Sequence, residues 1–260
     1  MGALKTTSLA TGKREIEYPE SDGKPMAETD LHRDEMVDLI AMLKARYLRA
    51  DDVYVSGNLL LYYEEGNPRA AVAPDVFVVF GVPSGRRRTY KMWVERVPPA
   101  VVIEVTSRKT RREDLHEKMG KYAHLGVAEY FLYDPEADYL RPALQGFQLS
   151  SGAWRPMAPT ESGGLRSHQL GLELRLEAGR LELYDAATSI RLLRTAEKDA
   201  AGARAEERAE AERRRADAEH TQAAAERQRA DAAEAELARL RATLARLQDG
   251  DDATTAADHG

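Results

Sequence analysis

Residues 98–107 read PPAVVIEVTS. Val101, Val102 and Ile103 form the apolar run of a strand buried on both faces, and Glu104 interrupts it. An ionised carboxylate inside such a strand is costly unless it pairs with a cation or binds a metal. The stretch therefore predicts a strand at the heart of a sheet and a partner for Glu104. An arginine such as Arg108, or one of Arg86 to Arg88, would satisfy it as a salt bridge. A bound cation would satisfy it as chemistry.

Outward from this stretch the pattern alternates between strands and helices. Upstream, APDVFVVFGVP gives a short apolar strand ending at Gly81 or Pro83, and SGRRRTYKMWVERVPP is a basic connection holding Trp93. Downstream, RKTRREDLHEKMGKYAHLGV changes period: Leu115, Met119, Tyr122 and Leu125 share one stripe, and Gly126 supplies a helix stop. AEYFLYDP follows as another apolar strand. VYVSGNLLLYYEEGNPR is a β-rich run ending in the turn Glu65-Gly66-Asn67-Pro68, and DYLRPALQGFQL with short runs near 154, 173 and 183 predicts antiparallel strands. Before them all, ETDLHRDEMVDLIAMLKARYL predicts an amphipathic helix from about residue 30 to 49. Thr29 or Asp30 caps it, and Leu31, Met36, Val37, Ile40, Leu43 and Tyr47 form its apolar face. The order predicts an α/β (α+β) domain over residues 26–189, a mixed central sheet flanked by helices.

The 260 residues contain no cysteine, which excludes disulfides, thiolate nucleophiles and zinc–cysteine sites. The N-terminal stretch has no apolar core of signal-peptide length and no later segment approaches a membrane span, so the expected location is cytoplasmic, with no membrane partner. A formal charge of −6 argues against general affinity for nucleic acid but leaves room for a local basic cleft. Residues 1–25 read as a flexible tail. Tyr184 is the last aromatic residue and Pro159 the last proline, so the C-terminal segment is foreign to the rest in composition. From Ile190 to Gln248 it reads as one Ala/Glu/Arg-rich helix, in which Leu237, Leu240, Leu244 and Leu247 step as a coiled-coil seam. Upstream the same register meets Ala at 209, 216, 223, 230 and 233 but Glu at 212, 219 and 226. A homodimer or other homo-oligomer through residues 190–248 is expected, with a single charged helix as the alternative. Residues 249–260 read as disordered.

The chemistry-bearing residues cluster early. Asp75 heads VFVVF, Glu104 sits in VVIEV, and Lys118 lies on the next helix with Lys121 one turn on. Carboxylates on neighbouring strands can converge on a hard divalent cation such as Mg²⁺ or Mn²⁺. Such an ion polarises a phosphate oxygen and acidifies a water, and a lysine can orient that water or stabilise developing negative charge. Each residue also has a plainer reading: Asp75 as a turn cap, Lys118 as an exposed helix charge, Glu117 and Lys121 as a surface pair. Arg86, Arg87, Arg88 and Lys91 could contact DNA phosphates or form a solvated loop.

APDVFVVF, VVIEVTS and EDLHEKMGKYAHLGVAEYFLYDP, in that order and spacing, resemble the Uma-type restriction endonucleases, a branch of the PD-(D/E)XK nuclease superfamily. The resemblance covers roughly residues 25–190. It implies a restriction-endonuclease-like sheet and a Mg²⁺- or Mn²⁺-dependent endonuclease acting on DNA. Asp75 matches the aspartate of the PD element and Glu104 the acidic residue of the next, and both would hold the metal. Thr106 stands where that element carries its lysine, and Lys118, four residues before Tyr122, occupies the place from which the following helix supplies it. Glu28, ahead of the first helix, is a possible additional acid. The alternative is a protein that keeps this fold as an inactive interaction scaffold.

Overall fold

The structure, a computed structural model, describes residues 16–21 and 29–257, with side chains described as far as residue 243. Helix α1 is Asp30–Arg46, and the Thr29 side chain caps it by accepting the His32 amide at 3.2 Å. Its buried face is His32, Glu35, Met36, Leu39, Met42 and Leu43. The predicted stripe is corrected here: Leu31 and Val37 are 42% and 52% exposed. The helix is turned so that Glu35 points inward, where Arg194 meets it with two hydrogen bonds of 3.1 and 3.0 Å. Arg194 also binds Asp38, Glu182 and the Leu181 carbonyl. A buried acid paired across such a chain separation has no signature in local periodicity.

The strands are β1 (Val53–Ser56), β2 (Leu61–Tyr62), β3 (Ala71–Val72), β4 (Val76–Phe80), β5 (Tyr90–Lys91) and β6 (Val101–Val105), with a short helix α2 (Met92–Glu95) before β6. A π-helical segment, Glu113–Lys118, runs directly into α3 (Met119–Leu125), which Gly126 ends with φ 79°. Then come β7 (Glu129–Tyr133), β8 (Leu144–Ser150), β9 (Ala153–Pro156), β10 (Leu165–Ser167), β11 (Leu172–Glu177), β12 (Arg180–Asp185) and helix α4 (Thr195–Ala257).

The main sheet has six strands in the order β1-β4-β6-β7-β8-β9. β6 and β7 are parallel, as a crossover through α3 requires, and the other neighbours are antiparallel. Two three-stranded sheets, β10-β11-β12 and β3-β2-β5, accompany it. The main sheet is therefore mixed and both its faces are covered. Val76, Val78, Val101, Ile103 and Val105 pack with Met36, Leu39, Met42 and Leu43 of α1 and with leucines of β11 and β12. Phe77, Val79, Val102, Tyr130 and Leu132 pack on the opposite face around Tyr122 and Val127. Strand parity assigns Glu104 to this second face, the one covered by α3.

The chain divides into two compact units, with the boundary between Ala196 and Glu197. The described part of the second is α4 from Glu197 onward, whose described side chains are exposed from Asp199, Leu237 and Leu240 included. The helical backbone continues to Ala257, across residues whose composition predicts disorder from 249; the side chains of Leu244 and Leu247 lie outside those described. Among the described residues, no helix is long and apolar enough to cross a membrane.

Candidate active site

The antiparallel register pairs Val76 with Ile103, so one residue further along Asp75 stands opposite Glu104. The two are locked by reciprocal bonds. The Asp75 amide donates to Glu104 Oε2 at 3.3 Å, and the Val105 amide donates to Asp75 Oδ2 at 2.9 Å. Gly57 presses on this junction: a Cβ there would lie 1.9 Å from the Asp75 carbonyl oxygen and 2.6 Å from Ile40 Cδ1. Only glycine leaves room for Asp75 where it is.

Glu104 is fully buried, and its partner comes from the helix that follows. Lys118 Nζ lies 2.9 Å from Oε2, and the Tyr122 hydroxyl donates to Oε1 at 2.5 Å. Three of the arginines that could have satisfied it are engaged elsewhere: Arg108 binds Asp138, Arg87 binds Glu95 at 2.7 Å, and Arg88 pairs with Glu20. Lys118 also forms an ion pair with Asp114 at 3.1 Å. The other Asp114 oxygen accepts the Thr106 hydroxyl at 2.7 Å. On the α1 side, His32 Nε2 sits 3.5 Å from Asp75 Oδ2.

One ammonium thus faces three carboxylates, and its charge balances only one of them. The titration behaviour follows. Burial pushes the Glu104 carboxyl well above the usual carboxylate range; Lys118 pulls it back in part, and Asp75 and Asp114 push it further up. Burial alone would lower the Lys118 amine, but Glu104, Asp114 and Asp75 outweigh it and hold it above the usual lysine range. Burial likewise opposes ionisation of Asp75, yet the His32 hydrogen bond and the charge of Lys118 bring it below the usual range. Burial, reinforced by Glu104, raises the Tyr122 phenol, so it remains a donor.

These groups stand at a cleft of about 1110 Å³. His32, Asp75, Asp114 and Lys118 are on its wall, whereas Glu104 lies behind them. Its cationic lining is completed by Arg69, Arg108, Lys109 and Lys121. None of Arg86, Arg87, Arg88 and Lys91 lines it; Arg87 stacks 4.1 Å over the Tyr54 ring and Lys91 4.6 Å over Tyr18. Glu28 lies outside the described residues. Asp75, Glu104 and Lys118, the trio singled out in the sequence, are brought together.

The donor set suits a hard divalent cation, being carboxylate oxygen with excess negative charge. Among the described residues no three or more His, Asp or Glu form a ready cage. Mg²⁺ does not require one, since one or two carboxylates with waters and substrate phosphate complete its shell. Sequence reasoning missed Asp114, the Thr106 hydroxyl, Tyr122 as a ligand of Glu104, and His32 as a neighbour of Asp75. The four-residue steps from Asp114 to Lys118 to Tyr122 were the available signal.

A family profile, Uma2, described as "Putative restriction endonuclease", matches residues 8–182. A crystal structure of "a putative nuclease belonging to DUF820 from Anabaena variabilis" is similar at 11% identity with a TM-score of 0.42, covering 56% of this chain and 76% of that one. No curated protein matches the chain.

Proposed function

The chain belongs to the Uma2 family, and from that premise we propose that it is a metal-dependent endodeoxyribonuclease whose site is Asp75, Glu104 and Lys118. The observation that carries this reading is the convergence at the cleft: Lys118 Nζ is 2.9 Å from Glu104, and Glu104 accepts the Asp75 amide. Asp75 and Glu104, with a main-chain carbonyl after Glu104, would hold Mg²⁺ or Mn²⁺. When bound, the ion supplies polarisation of a phosphate oxygen and acidifies the attacking water. Of the two carboxylates, Asp75, kept ionised, is the one on the cleft wall. Lys118, held protonated by its neighbours, cannot serve as the base; it donates hydrogen bonds, orienting the water and stabilising the charge that grows on the phosphoryl oxygens. Arg69, Arg108, Lys109 and Lys121, which line the cleft, would bind backbone phosphates there, and of the loop outside it Arg86, Arg88 and Lys91 would meet further phosphates while Arg87 stays with Glu95. Glu28 is retained as a further acid. The exposed seam residues Leu237 and Leu240 support self-association through residues 190–248, which would present two sites to a duplex. A cytoplasmic location goes with this role.

One observation favours a second reading, an interaction scaffold: both Glu104 oxygens are already hydrogen-bonded, to Lys118, the Asp75 amide and Tyr122. Calorimetric titration with Mg²⁺ and Mn²⁺ separates the two. The nuclease reading expects one site per chain that vanishes in Asp75→Ala. No binding, or binding unchanged by that substitution, leaves the scaffold.

A further inference from the structure

We infer that Thr106 and Asp114 are positioning residues for the Lys118 ammonium: a hydroxyl two residues beyond Glu104 fixes a carboxylate, and that carboxylate fixes the lysine delivered by the helix. The inference deepens the nuclease reading and rests on it for its catalytic consequence.

Lysine is a point charge on a flexible four-carbon stem, so a single ion pair leaves its head free to swing. Lys118 has two anchors, Glu104 at 2.9 Å from the strand and Asp114 at 3.1 Å from its own helical segment. Asp114 can act as a fixed anchor only if its carboxylate does not rotate. Thr106 prevents rotation by donating to Oδ2 at 2.7 Å. An ionised carboxylate only accepts and a hydroxyl has one proton to give, so the direction of the bond is set. The Tyr139 hydroxyl, which touches the same Thr106 oxygen, must then be the donor of that contact. The result is a directed chain from Tyr139 to Thr106 to Asp114, met from the other side by Lys118.

The backbone beneath it is equally constrained. The Asp114 amide donates to the Thr110 carbonyl at 3.0 Å, and its own carbonyl accepts the Tyr130 hydroxyl at 2.9 Å. Thr106 and Asp114 are each 1% exposed, so water cannot readily replace a lost partner. Neither residue is among those proposed to hold the cation. Their effect is transmitted through the position of Nζ, and a displacement of about 1 Å at such a group can cost on the order of 100-fold in rate.

Two readouts on the full chain test this, with Thr106→Val, Thr106→Ser and Asp114→Asn beside wild type. The first needs no catalysis: the rate at which a water-soluble acetylating ester labels Lys118, followed by mass spectrometry with Lys121 as internal control. Labelling should be slow in wild type and Thr106→Ser, and several-fold faster in Thr106→Val and Asp114→Asn, with Lys121 unchanged. The second is plasmid nicking with Mg²⁺, where Thr106→Val should lower kcat roughly 10- to 100-fold with little change in KM, and Thr106→Ser should recover most of the loss. Equal Lys118 labelling in wild type, Thr106→Val and Asp114→Asn overturns the inference, as does a Thr106→Ser variant as reactive as Thr106→Val. A wild type that nicks nothing removes the nuclease reading, while the labelling comparison still decides whether Thr106 and Asp114 hold the lysine.

Discussion

Lys118 balances more negative charge than one ammonium can neutralise. It touches Glu104 and Asp114 and also feels the charge of Asp75. Removing it strands two buried carboxylates, a change that typically costs roughly 3–5 kcal/mol. Lys118→Met should therefore lower the unfolding free energy from urea titration by that order at neutral pH, and Lys118→Arg should recover little because a planar fork does not fit two anchors set for a point charge. Far from this site, Arg175 and the hydroxyls of Ser162 and Thr160 bring Glu173 down from 4.5 to about 2. A folded-state value below the unfolded one contributes stability that is present above pH 4.5 and lost as the pH falls toward 2. Wild type should be more stable than Glu173→Gln near neutral pH, and thermal melts at about pH 3 should show the gap narrowing. Glu104 was legible in the sequence as an anomaly because burial and charge conflict within five residues. Its partner was less so: an arginine nearby in the chain was as reasonable as a lysine on the next helix until the crossover brought that helix over the strand.

Elements carry the site into register. β4 and β6 set Asp75 against Glu104, and the tight passage at Gly57 keeps the start of β4 in place. Gly57→Ala should cost about 1–3 kcal/mol by overpacking and, by shifting Asp75, should weaken Mg²⁺ binding in calorimetry even where the fold survives. The strands of the main sheet were readable because strands covered on both faces give nearly continuous apolar runs, as in VFVVF, VVIEV and EYFLY. The helix after Ser107 was readable from Leu115, Met119, Tyr122 and Leu125, but its π-helical opening was not, since no residue there breaks the helical pattern. The inward face of α1 was misread for a different reason. Two of its buried positions, His32 and Glu35, are polar, and an apolar stripe cannot register them.

At the scale of the molecule, composition marks a change of character near residue 190, whereas packing ends the first unit at Ala196. The difference is chemical: Arg191 pairs with Glu182 at 3.0 Å, Leu192 packs on the core, and buried Arg194 ties α1 to β12. Truncation after Ala196 should leave the urea midpoint of the remaining chain unchanged. Truncation after Ser189 should lower the unfolding free energy by roughly 3 kcal/mol or more, because Glu35 and Glu182 lose their buried partner. Light scattering on the Ala196 truncation tests α4 as the oligomerising element, which predicts a fall to monomer. The central claim, that Asp75, Glu104 and Lys118 together hydrolyse phosphodiester bonds, is tested most directly by nicking of supercoiled plasmid with Mg²⁺ or Mn²⁺ by wild type, Asp75→Ala, Glu104→Ala and Lys118→Ala. Wild type should cut, and each variant should cut at least about 100-fold less. Equal activity in all four proteins, or none in wild type with either ion, would contradict the claim.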